Sequence, residues 1–194
     1  MTSHSLSVPR RSVLVVIDFQ EAFRGVLHAG EQTESRIVRA LRGASIFGVP
    51  ALLTEHYPKG LGTTTPAVLD AADDVPKIEK TAFGALREPS FVAALAGLAG
   101  TPDGHGPSPE IVLAGIETHI CVLQTAFQLR ERGYLVSVLA DAVTARDPDL
   151  GANGLAQMAA VGVRVTNTES LLFEWCGEKA NPGFRRMQAL LKES

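Results

Sequence analysis

Three side chains in this sequence have the types and surroundings to do covalent chemistry together. Cys121 lies in Gly115-Ile-Glu-Thr-His-Ile-Cys121-Val, where an apolar run ends and a helical pattern begins. A thiol just inside a strand-to-helix turn meets unpaired amides and the positive end of a helix dipole. That setting is expected to lower its pKa and make a thiolate nucleophile. The same position also suits a small apolar residue packed in the first turn. Asp18 follows the apolar run Val13–Ile17 directly. A carboxylate there either caps the next turn or exchanges a proton with a nearby thiol. Lys80, before Thr-Ala-Phe83-Gly84, sits at a turn where its charge could hold Asp18 ionised and favour a thiolate. On residue types alone, Lys77 and Lys59 are equal candidates for that role.

The elements that must position these groups are legible as alternating patterns. Strands are predicted at Val13–Ile17, Ala51–Thr54, near Lys77–Glu79, and at Ile111–Ala114, Leu135–Leu139 and Val163–Val165. Helical spacing runs over Glu34–Phe47, Glu88–Leu98, Thr118–Arg132, Asp149–Val161, Glu169–Trp175 and Gly183–Lys192. Tyr57–Pro66 and Gly100–Pro109 read as loops, rich in glycine, proline and polar residues. Strands alternating with helices mean a parallel sheet covered on both faces, doubly wound by right-handed crossovers. Such sheets bind ligands beyond the carboxyl ends of their strands, at the switch between halves. The first strand of each half lies there, so Asp18 and Cys121 are expected to converge.

Bulk properties fit one α/β domain over residues 1–194. Net charge is −3, which gives a nucleic-acid or anionic-membrane role no support. The two cysteines, Cys121 and Cys176, form no framework and suit a reducing cytoplasm. No run of transmembrane length and no signal-peptide core is present in the sequence. Nucleotide-binding glycine motifs and a GxSxG elbow are also missing.

The ordered set Val16-Ile-Asp18-Phe-Gln20 with Phe23, Lys80-Thr-Ala-Phe83, Gly115-Ile-Glu-Thr-His-Ile-Cys121-Val, and Gly133-Tyr-Leu-Val with Asp141-Ala resembles the isochorismatase-like cysteine hydrolases. The likeness covers about Ser12 to Lys192. It is strongest to the isochorismatase-domain-containing subgroup, through Thr54-Glu-His-Tyr-Pro58-Lys-Gly-Leu-Gly62, Asp141-Ala-Val-Thr-Ala-Arg146 and Pro182-Gly-Phe184. The resemblance implies a six-stranded parallel sheet between helices and a triad of Asp18 as base and acid, Lys80 as its partner and Cys121 as nucleophile. It also implies a cis peptide between Ile116 and Glu117, with the Glu117 and Cys121 amides forming an oxyanion hole. The implied reaction is hydrolysis of a small amide or related C–N bond through a thioester. A homo-oligomer, a dimer or larger, is implied too.

Related nicotinamidases hold a metal through an Asp-x-His-Pro stretch. Here that place reads Glu55-His56-Tyr57-Pro58, so no metal and no cofactor are expected. Gln20, Phe23, His56, Tyr57 and Phe83 are the candidate pocket residues. Each has a structural alternative: core packing for the phenylalanines, loop contacts for the others. Two further functions stay open. One is enol-ether hydrolysis with Asp18 as the acid. The other is a non-catalytic ligand-binding protein on the same fold.

Overall fold

The computed structural model describes residues 6–102 and 107–193. His4, His105 and the middle of the Gly100–Pro109 loop lie outside the described residues. Six parallel strands form one sheet: β1 (Ser12–Ile17), β2 (Ala51–His56), β3 (Lys77–Lys80), β4 (Glu110–Ile116), β5 (Leu135–Thr144) and β6 (Arg164–Thr166), in the order β3-β2-β1-β4-β5-β6. The eight α-helices of the described residues are α1 (Gly30–Phe47), α2 (Pro58–Leu61), α3 (Pro66–Ala71), α4 (Pro89–Ala99), α5 (Leu123–Glu131), α6 (Pro148–Ala160), α7 (Thr168–Cys176) and α8 (Phe184–Lys192). The result is the expected three-layer α/β arrangement.

The period-two geometry of β1 explains why its apolar run is unbroken. Leu14 and Val16 face one layer with Ile37 and Leu41 of α1, Leu171 and Trp175 of α7 and Met187 of α8. Val13, Val15 and Ile17 face the other, with Phe91 and Leu95 of α4, Ala126 and Leu129 of α5 and Met158 of α6. Both faces are covered, so alternate residues are all apolar.

β1 and β4 pair side by side, with Ile17 opposite Gly115. At Gly115 φ is +126°, and a Cβ there would stand 2.1 Å from the Ile17 carbonyl oxygen. Only glycine lets these two strands end together at this spacing. Asp18 and the turn leading to Cys121 leave the sheet from that shared point.

Two elements differ from their sequence patterns. The segment Thr118–Val122 is a π turn that leads into α5, whereas the spacing predicts one helix from Thr118. β5 runs past Leu139 to Thr144, because its register against β4 jumps from Leu113–Val138 to Gly115–Val143. That bulge carries β5 to the site end of the sheet.

Candidate active site

Each reactive side chain comes from the carboxyl end of a strand. Asp18 follows β1 with φ +53°, a left-handed conformation that turns the chain off the sheet. Its Oδ1 accepts a 2.6 Å hydrogen bond from the Thr54 hydroxyl of β2. Its Oδ2 lies 2.6 Å from Lys80 Nζ. Lys80 ends β3 opposite His56, and its side chain reaches across the end of β2. The ammonium also donates to the carbonyls of Ala82 at 3.0 Å and Phe83 at 3.1 Å. Two carbonyl acceptors and the Asp18 charge thus compensate the burial of this ammonium. The competing lysines are placed elsewhere: Lys77 pairs with Glu55, and Lys59 lies in α2 on a separate surface recess.

Cys121 sits in the π turn and lines the same cavity as Asp18. The thiol does not behave as its helix-terminal position suggests. Burial first, and then the Asp18 charge, push it up to about 12, against a smaller opposing effect of Lys80. The site therefore holds a protonated thiol at neutral pH. The convergence expected from topology is present: Asp18, Lys80 and Cys121 meet where β1 and β4 end.

Further contacts fix the turn that carries Cys121. Thr125 donates to the Cys121 carbonyl at 2.7 Å and accepts from the Ala85 amide at 3.1 Å. One buried hydroxyl thus ties the Cys121 turn to the loop after Lys80. On the other side, α6 presses Gly154 against the backbone of Thr118 and His119.

A cavity of about 260 Å³ opens over Asp18 and Cys121, walled by Phe23, Leu61, Phe83, Ile116 and Ile120. His56, Glu117 and Arg146 supply its other polar groups. The His56 ring stacks on Phe83 with centroids 5.5 Å apart. Burial and then the nearby Lys80 charge lower the His56 pKa, which favours the neutral imidazole.

Three expectations require correction. Among the described residues no peptide is cis, so the expected Ile116–Glu117 cis bond is not found. Glu117 instead takes φ +52° and ψ +63°, and this left-handed residue makes the sharp turn after β4. Gln20 does not line the cavity: its amide is consumed by the His56 backbone and the Gly62 carbonyl, which knits two loops together. Tyr57 does not line it either. Its own φ of +41° starts α2, and its ring lies half-exposed against Gly60 on the neighbouring recess.

Phe23, His56 and Phe83 do face the cavity. Leu61, from the loop after His56, does so as well, and so do Ile116, Ile120 and Arg146, for which the sequence suggests no pocket role. Arg146 had a signal only in its family stretch; the β5 bulge that delivers it is invisible in an apolar run. The nicotinamidase-type metal position does not fit a metal here. Glu55 Oε1 accepts from the Thr63 and Thr64 hydroxyls and the Thr64 amide. Among the described residues no group of three or more His, Cys, Asp or Glu is arranged to hold an ion.

This fold and site define a doubly wound α/β protein with an acid–lysine–thiol cluster at its topological switch. The isochorismatase domain family matches residues 12–170, and the chain belongs to that family. It is 36% identical over 187 residues to isochorismatase domain-containing protein 1 of Salmo salar, covering 96% of this chain and 63% of that one. To isochorismatase domain-containing protein 2A of Mus musculus it is 35% identical over 186 residues, covering 96% and 85%. The chain thus spans less than two thirds of the Salmo salar relative. Among solved structures, one described as the MAR1 ribonuclease from Caenorhabditis elegans superposes with a TM-score of 0.88 at 31% identity, over 98% of this chain and 94% of that one. No helix of the described residues is long and apolar enough to cross a membrane.

Proposed function

We propose that this protein is a cysteine hydrolase acting on a small amide or related C–N bond, without a metal. The observation that carries this reading is Asp18, which pairs with the Lys80 ammonium and lines one small cavity together with Cys121. Asp18 takes the thiol proton as Sγ bonds to the substrate carbonyl carbon. Lys80 holds the Asp18 side chain in place and balances its charge. The amides of Glu117 and Cys121 stabilise the oxyanion. As the C–N bond breaks, Asp18 returns the proton to the leaving nitrogen. Water then adds to the thioester, again with Asp18 as base, and the acid product leaves with Cys121 restored.

The apolar walls and a volume of about 260 Å³ suit a compact substrate, below the usual size of drug-binding clefts. A thiol that must stay reduced suits a cytoplasmic setting. Exposed Val165 and Phe173 on β6 and α7 are apolar groups suited to an oligomer contact, which light scattering tests.

A panel of small amides assayed for ammonia release tests the reaction. The proposal expects turnover that is lost in Cys121→Ala. Full activity in that variant would instead favour enol-ether hydrolysis through Asp18 as acid. The ribonuclease description of the C. elegans structure favours a second reading, RNA cleavage. Incubation with single-stranded RNA decides that one: cleavage that Cys121→Ala abolishes, with no amide turnover, would replace the small-molecule reading. Turnover of neither, with slow and unselective alkylation of Cys121, would leave a ligand-binding protein.

A further inference from the structure

Glu117 begins the turn from β4 to Cys121 in a left-handed conformation, with φ +52° and ψ +63°. That region is uncommon for a residue with a side chain and persists only where its surroundings hold it. Two side chains reach the Glu117 carboxylate. Arg146 Nε donates to Oε1 at 2.7 Å. His119 Nδ1 stands 3.6 Å from Oε2, just beyond the length of a formed hydrogen bond. The His119 and Glu117 side chains are only 16% and 7% exposed.

Oε2 and Nδ1 are both buried, and neither has a hydrogen-bond partner among the described residues. A buried oxygen without a partner is not distinctive by itself, for Glu34 Oε1 is another. What sets this pair apart is that the two unmet atoms face each other. One is a carboxylate oxygen that accepts, and the other is a ring nitrogen able to donate. A lone pair on Nδ1 would oppose the carboxylate and leave both atoms unmet. A proton on Nδ1 satisfies both, with an approach of a few tenths of an ångström. The backbone of His119 is itself held from behind, since a Cβ on Gly154 of α6 would stand 2.9 Å from the His119 Cα.

We infer that His119 carries a proton on Nδ1 and hydrogen-bonds Glu117 Oε2 through it, which makes it a positioning residue for the turn between β4 and Cys121. The carboxylate is then gripped on both sides, by Arg146 at Oε1 and by His119 at Oε2. The backbone follows from this grip. The Glu117 carbonyl accepts from the Ile120 amide at 2.8 Å and the Val122 amide at 3.4 Å, the two neighbours of Cys121. His119 thus acts through Glu117 and touches no substrate. Its bearing on catalysis rests on the hydrolase reading, in which this turn carries the nucleophile and the oxyanion amides.

The first test is nitrogen NMR of the histidine rings in the full chain, at about pH 8, above the ordinary histidine range. The His119 signals are assigned by their loss in His119→Gln. A proton on Nδ1 is expected, and a His119 ring protonated on Nε2 alone would overturn the inference. This reading needs no variant to keep its function. The second test is amide hydrogen exchange at Ile120 and Val122. Asparagine places an N–H where Nδ1 stands, whereas glutamine places one nearer Nε2. Exchange should quicken at least about ten-fold in His119→Gln, as for one lost hydrogen bond to a charged group, and stay near the parent rate in His119→Asn. Unchanged exchange in His119→Gln, or equal effects of the two substitutions, would overturn the inference. Neither test uses the thiol or a substrate, so both stand apart from the hydrolase reading. In the amide assay, His119→Gln should lower kcat at least about ten-fold with KM little changed, and His119→Asn should restore it. A parent-like kcat in His119→Gln would remove the positioning role.

Discussion

Asp18 Oδ2 and Lys80 Nζ are 2.6 Å apart, with the two side chains 2% and 0% exposed. Such a pair is weak evidence for stability when intact, but removing one member strands the other charge. Lys80→Met should therefore destabilise the fold by about 3–5 kcal/mol, read by urea denaturation. The double variant Asp18→Asn with Lys80→Met should recover part of that loss. A double variant no more stable than Lys80→Met would show that the lysine acts through packing alone.

The raised thiol pKa gives Asp18 two separable effects. Asp18→Asn removes a negative charge that helps hold the proton on Cys121, while Lys80 stays. The thiol should then ionise at lower pH, although turnover is lost because the proton acceptor is gone. Thiolate absorbance near 240 nm, corrected with Cys121→Ala for Cys176, follows the titration. A midpoint that does not move down would remove Asp18 from contact with the thiol.

The same shift predicts a pH dependence of stability. The native thiol titrates at about 12, against an ordinary value of 9.0. Between those values the native state keeps a proton that the unfolded state releases. Its contribution is complete below about pH 9 and is lost as pH rises toward 12. Denaturant midpoints should accordingly fall more steeply with rising alkaline pH in the parent protein than in Cys121→Ala. Parallel slopes would contradict a buried, protonated Cys121.

Much of this site was legible because strand ends are legible. The apolar runs at Val13–Ile17 and Ile111–Ala114 locate β1 and β4, and doubly wound topology makes them neighbours. Asp18 and Cys121 then meet by geometry rather than by sequence proximity. Lys80 was not separable from Lys77 or Lys59 by residue type. Its selection comes from the turn after β3, whose carbonyls complete its hydrogen bonds. The backbone between β4 and Cys121 was not legible, since a left-handed Glu117 and a π turn leave no hydrophobic period. Gln20 and Tyr57 failed for a related reason: each serves its own loop, and a loop's internal hydrogen bonds have no sequence pattern. The thiol's pKa was misjudged because a helix-end position reports a dipole but neither burial nor the carboxylate alongside.

Gly154 provides a structural test of the turn that carries Cys121. A Cβ there would lie 2.9 Å from His119 Cα and 3.0 Å from the Thr118 carbonyl carbon. Gly154→Ala must push α6 away from that turn or shift the turn itself. Overpacking of this kind costs about 1–3 kcal/mol. A misplacement of about 1 Å can cost roughly a hundred-fold in rate. The expected result is a folded variant with kcat reduced at least about ten-fold. Unchanged kcat in a folded Gly154→Ala would show that the turn tolerates displacement.

The covalent role of Cys121 is tested most directly by acid-quenched peptide mass spectrometry during turnover of a small amide. The account predicts one acyl group, as a thioester on the Cys121 peptide and not on that of Cys176. Its formation and decay should match the rate of ammonia release and product formation. Ammonia release with no acyl mass on Cys121 at any quench time, and with activity preserved in Cys121→Ala, would contradict it.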